Sequence, residues 1–183
     1  MSKSIKIFIA ILSIILVSII GVSIFYQARR NYKFVDVDSY TRQMYINYLN
    51  KQVKSVQKST KQEIRAMLED ELDFHDYTYK EVDISNGGYA GKFSKIIEIN
   101  KDLDVETYCF VLCHEMCHLK YESSNEIQTN FMAFKSLYES DNKQLNNIGT
   151  WFGIYFLDGN YENDCSKLIV DYLKEQLFKV ALF

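Results

Sequence analysis

The sequence predicts a mainly helical α+β domain with a small antiparallel sheet, preceded by one N-terminal transmembrane helix. The first thirty residues contain an uncharged apolar run that sets them apart from the rest of the chain. The 183 residues include no proline and only seven glycines, so few helix breakers are present. One stretch, residues 77–100, instead alternates in polarity around a glycine-rich turn. We therefore divide the chain into an anchor at 1–30, an amphipathic linker helix at 31–75 that packs on the body, and the main domain at 76–183.

The N-terminal run from Ile7 to Ala28 carries no charge and has basic residues on both sides. About 20 apolar residues are enough to cross roughly 30 Å of hydrocarbon. A cleaved signal would have a shorter apolar core and a small-residue cleavage site, whereas this run ends in Phe25 and Tyr26, close to two arginines. We expect a single-pass anchor in the lipid bilayer at residues 7–28. The flanking basic residues are nearly balanced, so the side of the membrane that the domain faces stays open.

The linker is predicted to form one amphipathic helix after the capping residue Asp38, because apolar residues recur at steps of three and four from Tyr45 to Leu72. Residues 77–84 then alternate between aromatic or β-branched and polar side chains. The turn signal SNGG at 85–88 separates them from a second apolar run. A small antiparallel sheet is expected there.

A helix capped by Asp102 or Asp104 is predicted from about Val105 to Tyr121. It carries three of the four cysteines at helical spacing, with no C-x-x-C pair: Cys109, Cys113 and Cys117. Buried, packing thiols are the simplest interpretation, and a regulatory or intermolecular thiol is the alternative. Further helices are expected at about 124–140, 143–157 and 162–181.

The composition argues against nucleic acid as a partner. The net charge is -3, and the body has no basic run with interleaved aromatic residues. The third histidine, His75, has no spaced partner and is interpreted as a surface or packing residue. The chemistry must therefore be sought elsewhere in the chain.

The segment CHEMCH contains the H-E-x-x-H pattern within the predicted helix. His114 and His118 lie one turn apart on the same face, so both imidazoles can bind one zinc ion. Glu115 projects about 100° around the helix and can reach a water on that ion without binding the ion itself. This pattern predicts zinc-dependent hydrolysis with Glu115 as the catalytic base.

A catalytic zinc needs a third protein ligand. Glu122 would extend the same helix, whereas Glu126 begins a new helix that can fold back toward the histidines. A competing interpretation remains, because Ser123 and Glu126 also fit an S-x-x-E capping box.

The segment EIQTNFMA, residues 126–133, resembles the E-x-x-A-D/N-x-x-A helix that follows H-E-x-x-H in membrane-associated zinc peptidases of the gluzincin group. The resemblance implies that Glu126 is the third metal ligand and that Asn130 supports a ligand histidine. From about residue 85 to 157 the chain is more similar still to an uncharacterised bacterial family of predicted membrane-anchored zinc peptidases, filed as a domain of unknown function. This second resemblance implies a zincin-like fold with the sheet beside the active-site helix, and one Zn²⁺ per chain.

We therefore expect a membrane-anchored zinc metallopeptidase that acts on a peptide or protein substrate. The alternative is a membrane-tethered, non-catalytic interaction or assembly module with a structural or vestigial metal site, which would have no use for Glu115.

Tyr89 and Tyr155 are candidates for stabilising an oxyanion, and SKIIEIN, residues 94–100, is a candidate edge strand for an extended peptide. The sequence determines neither the substrate nor the oligomeric state.

Overall fold

The computed structural model describes residues 37–54, 59–159 and 165–181. Within these ranges the chain forms six helices and three strands, which confirms the mainly helical α+β class. In chain order they are α1 (Ser39–Asn50), α2 (Lys61–Leu72), β1 (Thr78–Val82), β2 (Gly88–Gly91), β3 (Ile96–Asn100), α3 (Val105–Lys120), α4 (Glu126–Tyr138), α5 (Lys143–Leu157) and α6 (Ser166–Ala181).

The predicted membrane span at residues 7–28 lies outside the described residues. Among the helices that are described, none is long and apolar enough to cross a membrane.

The predicted linker is two helices, so the prediction of one continuous helix was wrong. Asp38 caps α1 as expected, because its carboxylate accepts a hydrogen bond from the Thr41 amide. A second cap then starts α2: Thr60 and Glu63 form a reciprocal capping box, and such a box satisfies the free amides at the beginning of a helix. Both helices bury leucines in the common core, where burying each such side chain contributes about 1.5–3 kcal/mol.

The sheet is mixed, with strand order β1-β3-β2, so the prediction of a purely antiparallel sheet was wrong. The run that follows SNGG is interrupted by a second turn at Lys92–Lys95, and Lys95 adopts a left-handed backbone with φ of 51°. That turn makes β2 and β3 an antiparallel hairpin, while β1 pairs in parallel with the other edge of β3. The central strand β3 buries Ile97 and Ile99 in the core.

Helix α3 begins at its predicted position, and Asp104 caps it by accepting a hydrogen bond from the Thr107 amide at 2.8 Å. All four cysteines are free and buried, as predicted for packing thiols. Burial raises the pKa of the Cys109 thiol, and Cys113 donates a hydrogen bond to the Ala133 carbonyl of α4. The thiol stripe therefore packs within the core, and α3 and α4 are in direct contact.

Candidate metal centre

Three side chains from two helices bring nitrogen and oxygen donors together. His114 and His118 come from the last two turns of α3, and Glu126 is the first residue of α4. The Glu126 carboxylate oxygens lie 3.1 Å from His114 Nε2 and 3.4 Å from His118 Nε2. The two Nε2 atoms are 2.9 Å apart. The fold thus brings together the two predicted histidines and the predicted third residue.

These distances fit a four-coordinate zinc site. Zinc bonds of about 2.0–2.1 Å at tetrahedral angles place neighbouring donor atoms roughly 3.3 Å apart. The three separations of 2.9, 3.1 and 3.4 Å lie close to that value. Two imidazoles and a carboxylate are also a donor set that catalytic zinc sites use. The group can therefore hold a metal ion.

The ring nitrogens that face away from this group differ in their surroundings. His118 Nδ1 donates to the Ser123 carbonyl at 2.7 Å, and the Thr129 hydroxyl lies 3.3 Å from the same nitrogen. The buried carboxamide of Asn130, 1% exposed, lies beside His114. This second contact is looser, because His114 Nδ1 has no partner of regular hydrogen-bond geometry. A proton on Nδ1 leaves the Nε2 lone pair available to a metal.

Burial and the neighbouring His118 lower the pKa of His114, while Glu126 and Asn130 oppose that shift. Because a metal binds the neutral imidazole, a lowered pKa keeps His114 in its ligand form over a wider pH range.

Glu126 does not cap its own helix, so the capping-box interpretation was wrong. Asn125 is the N-cap of α4, and its side chain accepts a hydrogen bond from the Gln128 amide. Ser123 Oγ instead accepts a hydrogen bond from the Asn125 amide at 3.2 Å. The Glu126 carboxylate is consequently free to face the histidines. Glu122 lines the same cleft as the histidines, but its carboxylate is in an exposed ion pair with Lys92 at 2.5 Å.

Glu115 is buried, with 8% of its surface exposed, and it lines a cleft beside the two histidines. Burial raises its pKa to about 7, against a smaller lowering effect of His118. The strand β2 passes very close to this side chain: a Cβ atom on Gly88 would lie 2.9 Å from Glu115 Cγ. Only glycine fits between strand and helix at this point without displacing Glu115.

The cleft has a volume of about 890 Å³, a size typical of small-molecule and cofactor sites. Its walls are the β2 side of the hairpin and one face of α3, and His114, His118 and Glu126 lie inside it.

Tyr89 lines the cleft, whereas Tyr155 is not among its lining residues and stacks on Trp151. Residues 96–100 of SKIIEIN form the central strand β3, which has a partner on each side, so this candidate edge strand is an inner strand of the sheet.

The third histidine, His75, was predicted to be a surface or packing residue, and it is exposed. Its Nε2 lies 3.7 Å from an Asp70 carboxylate oxygen, and it is not among the residues that line the cleft. Three contributions were missed from the sequence: the Ser123 carbonyl, the Thr129 hydroxyl and the Gly88 contact. Thr129 had a detectable signal, because it lies three positions after Glu126 and therefore on the same helix face. The contacts of the Ser123 carbonyl and of Gly88 depend on how the chain folds back, and they leave no spacing pattern in the sequence.

Comparison with known proteins adds one finding. The family model Peptidase_M78, described as the IrrE N-terminal-like domain, matches residues 63–157. The matched region runs from the first turn of α2 to the end of α5 and includes the whole metal centre and both walls of the cleft. No curated protein and no solved structure matches the chain.

Proposed function

This chain belongs to the Peptidase_M78 family of IrrE N-terminal-like domains, and on that premise we propose that it is a membrane-anchored, zinc-dependent peptidase. The family is metallopeptidase-like, and the metal centre offers donors that suit zinc. The observation that carries the proposal is the position of Glu115: it is buried beside His114 and His118, faces the same cleft, and is not one of the converging donors.

In this proposal His114, His118 and Glu126 hold the ion, and Asn130 orients His114. Zinc, when bound, polarises the scissile carbonyl and lowers the pKa of water. Glu115 accepts a proton from the attacking water and passes it to the leaving amine. The Glu115 carboxyl can act in both steps because it lies beside the two histidines and faces the cleft.

The strand β2 is the edge of the sheet and one wall of the cleft. An extended peptide can add to such an edge through main-chain hydrogen bonds. Lying along β2, the peptide would pass Glu115, because Gly88 is in contact with that side chain. This role belongs to β2, Gly88–Gly91, and replaces the one predicted for SKIIEIN. The substrate class that follows is a peptide or an extended segment of a protein.

Membrane attachment is a separate part of the proposal and rests on the uncharged run at residues 7–28. Extraction of the full-length chain from membranes by detergent but not by alkaline carbonate would support it. Release by carbonate alone would contradict it.

A non-catalytic module with a structural metal site is the competing hypothesis. A structural zinc site is closed by four protein ligands, whereas among the described residues three donors converge at the side of a sizeable cleft. The peptidase interpretation accounts for both the cleft and Glu115.

The test measures zinc content and peptide hydrolysis in the full-length chain. We expect about one zinc per chain, lost in His114→Ala and Glu126→Ala because each removes one of three donors. Glu122→Ala is the matched control, since this carboxylate lies four residues before Glu126 and pairs with Lys92 instead. It should keep the zinc.

Glu115→Gln separates catalysis from metal binding. It should retain zinc and lose hydrolysis of a quenched fluorescent peptide mixture by about 100- to 10,000-fold, the range for removing a general base. Hydrolysis at the wild-type rate in Glu115→Gln would refute the mechanism. Stoichiometric, tight zinc in Glu126→Ala would refute the third ligand.

A further inference from the structure

Helix α4 brings two consecutive polar side chains to the two histidines of the metal centre. Asn130 reaches His114, and Thr129 reaches His118. Both side chains are buried, and Thr129 is 0% exposed. Because Glu126 lies three positions before Thr129 on the same helix, one helical turn supplies a donor atom to the centre and a contact to each histidine.

The hydrogen bonds of Thr129 determine what its hydroxyl can do. Its Oγ1 donates to the Asn125 carbonyl at 3.0 Å, so the single hydroxyl proton is already used. Toward His118 Nδ1, at 3.3 Å, the hydroxyl can therefore act only as an acceptor. The Ser123 carbonyl, at 2.7 Å from the same nitrogen, is also an acceptor. Two acceptors facing one ring nitrogen require that nitrogen to carry a proton.

From this arrangement we propose that Thr129 is a positioning residue for His118. Its hydroxyl and the Ser123 carbonyl hold the ring with a proton on Nδ1 and turn Nε2 toward Glu126 and His114. The inference rests on the proposed function, since it assigns Thr129 a role in zinc affinity.

The two acceptors differ in how the backbone holds them. Ser123 follows Glu122, which adopts a left-handed backbone with φ of 51°, a conformation that costs a residue other than glycine roughly 1–2 kcal/mol. Thr129 sits within the hydrogen-bonded part of α4, where its amide also donates to the Asn125 carbonyl at 2.9 Å. The hydroxyl therefore gives the ring a second contact that does not depend on the strained loop.

The chain offers a close control for a substitution at this position. Thr150 on α5 is also 0% exposed, and its hydroxyl donates to the carbonyl four residues earlier, that of Asn146, at 2.8 Å. Thr129→Val and Thr150→Val thus remove the same type of local hydrogen bond from a helix. They differ in that only Thr129 contacts a histidine of the metal centre.

Zinc affinity of the full-length chain in detergent, measured by chelator competition, tests the proposal. Thr129→Val should weaken zinc binding by about tenfold, the lower end of the range for partners of metal ligands, because the Ser123 carbonyl remains. Thr129→Ser should restore affinity to near wild type, and Thr150→Val should leave it unchanged. Equal losses in Thr129→Val and Thr150→Val, or no rescue by serine, would overturn the inference.

A second measurement does not require a folded variant or a bound metal. The chain has three histidines, so ¹⁵N spectra of the metal-free wild-type protein can assign the tautomer of His118. We expect a proton on Nδ1; a ring that is protonated on Nε2 alone would overturn the role of Thr129. A wild-type chain that shows this tautomer but binds no zinc would instead refute the proposed function.

Discussion

Substituting Gly88 with alanine tests whether the contact between β2 and α3 positions Glu115. The added Cβ would lie 2.9 Å from Glu115 Cγ, 2.9 Å from Ile99 Cδ1 and 3.0 Å from Val111 Cγ1. Carbon atoms pack best at about 3.5–4.0 Å, so these side chains must each move by roughly 0.5–1 Å. Ile99 lies in the core and has little room to move.

The expected cost follows from this crowding. Overpacking of this kind destabilises a protein by about 1–3 kcal/mol, which lowers the melting temperature of a domain of this size by roughly 2–4 °C per kcal/mol. A displacement of about 1 Å at the proposed catalytic base can lower the rate of hydrolysis about 100-fold. Zinc binding should persist, because Glu115 is not among the three converging donors.

The assay combines thermal unfolding, zinc content and peptide hydrolysis. Gly87→Ala is the control, since a Cβ there would meet only Val111, at 3.1 Å and beyond. A double-mutant cycle with Glu115→Ala adds a sharper test: removing Cγ should reduce the destabilisation caused by Gly88→Ala. If Gly88→Ala has wild-type stability and activity, or if its penalty is the same with and without the Glu115 side chain, the reasoning is refuted.

Two further predictions concern α4. Asn130→Ala should weaken zinc binding by about 10- to 100-fold while leaving the fold intact, because it removes the buried carboxamide beside His114. Chelator competition measures this affinity, and an unchanged affinity would contradict the prediction. Gly149→Ala should destabilise the domain by about 3 kcal/mol, measured by denaturant unfolding. The new Cβ would lie 2.5 Å from the Tyr138 amide nitrogen and 2.7 Å from the Leu137 carbonyl carbon. Both are backbone atoms of α4, which cannot move aside as a flexible side chain could. A wild-type unfolding midpoint would show that α4 and α5 do not pack this closely.

Features that depend on a few neighbouring residues could be predicted from the sequence. The bounds of α5 agree with the predicted 143–157, and α3 begins at the predicted Val105. Helical periodicity and capping side chains act within one or two turns, so the local sequence contains the information. The break between α1 and α2 was also predictable from neighbouring residues, since the Thr60–Glu63 capping box that starts α2 is visible in the sequence.

Features that depend on chain reversal could not be predicted in the same way. The sheet is mixed because β1 runs parallel to β3 and β2 runs antiparallel to it. The alternation of side chains is the same in both cases, so it does not indicate the direction of a neighbouring strand. Asn125, not Ser123 with Glu126, caps α4. Three consecutive polar residues, Ser123, Ser124 and Asn125, compete for that role in any sequence-based prediction.

The sequence by itself determined the pair of histidines, the glutamate between them and the helix that holds all three, because helical geometry fixes the relative directions of His114, Glu115 and His118. Only the tertiary structure decided that Glu126 faces those histidines. That outcome depends on the left-handed backbone at Glu122, which turns the chain so that the Ser123 carbonyl meets His118 and α4 folds back on α3. Spacing along one helix is a local property, whereas convergence of two helices is a property of the loop and of the core that packs them.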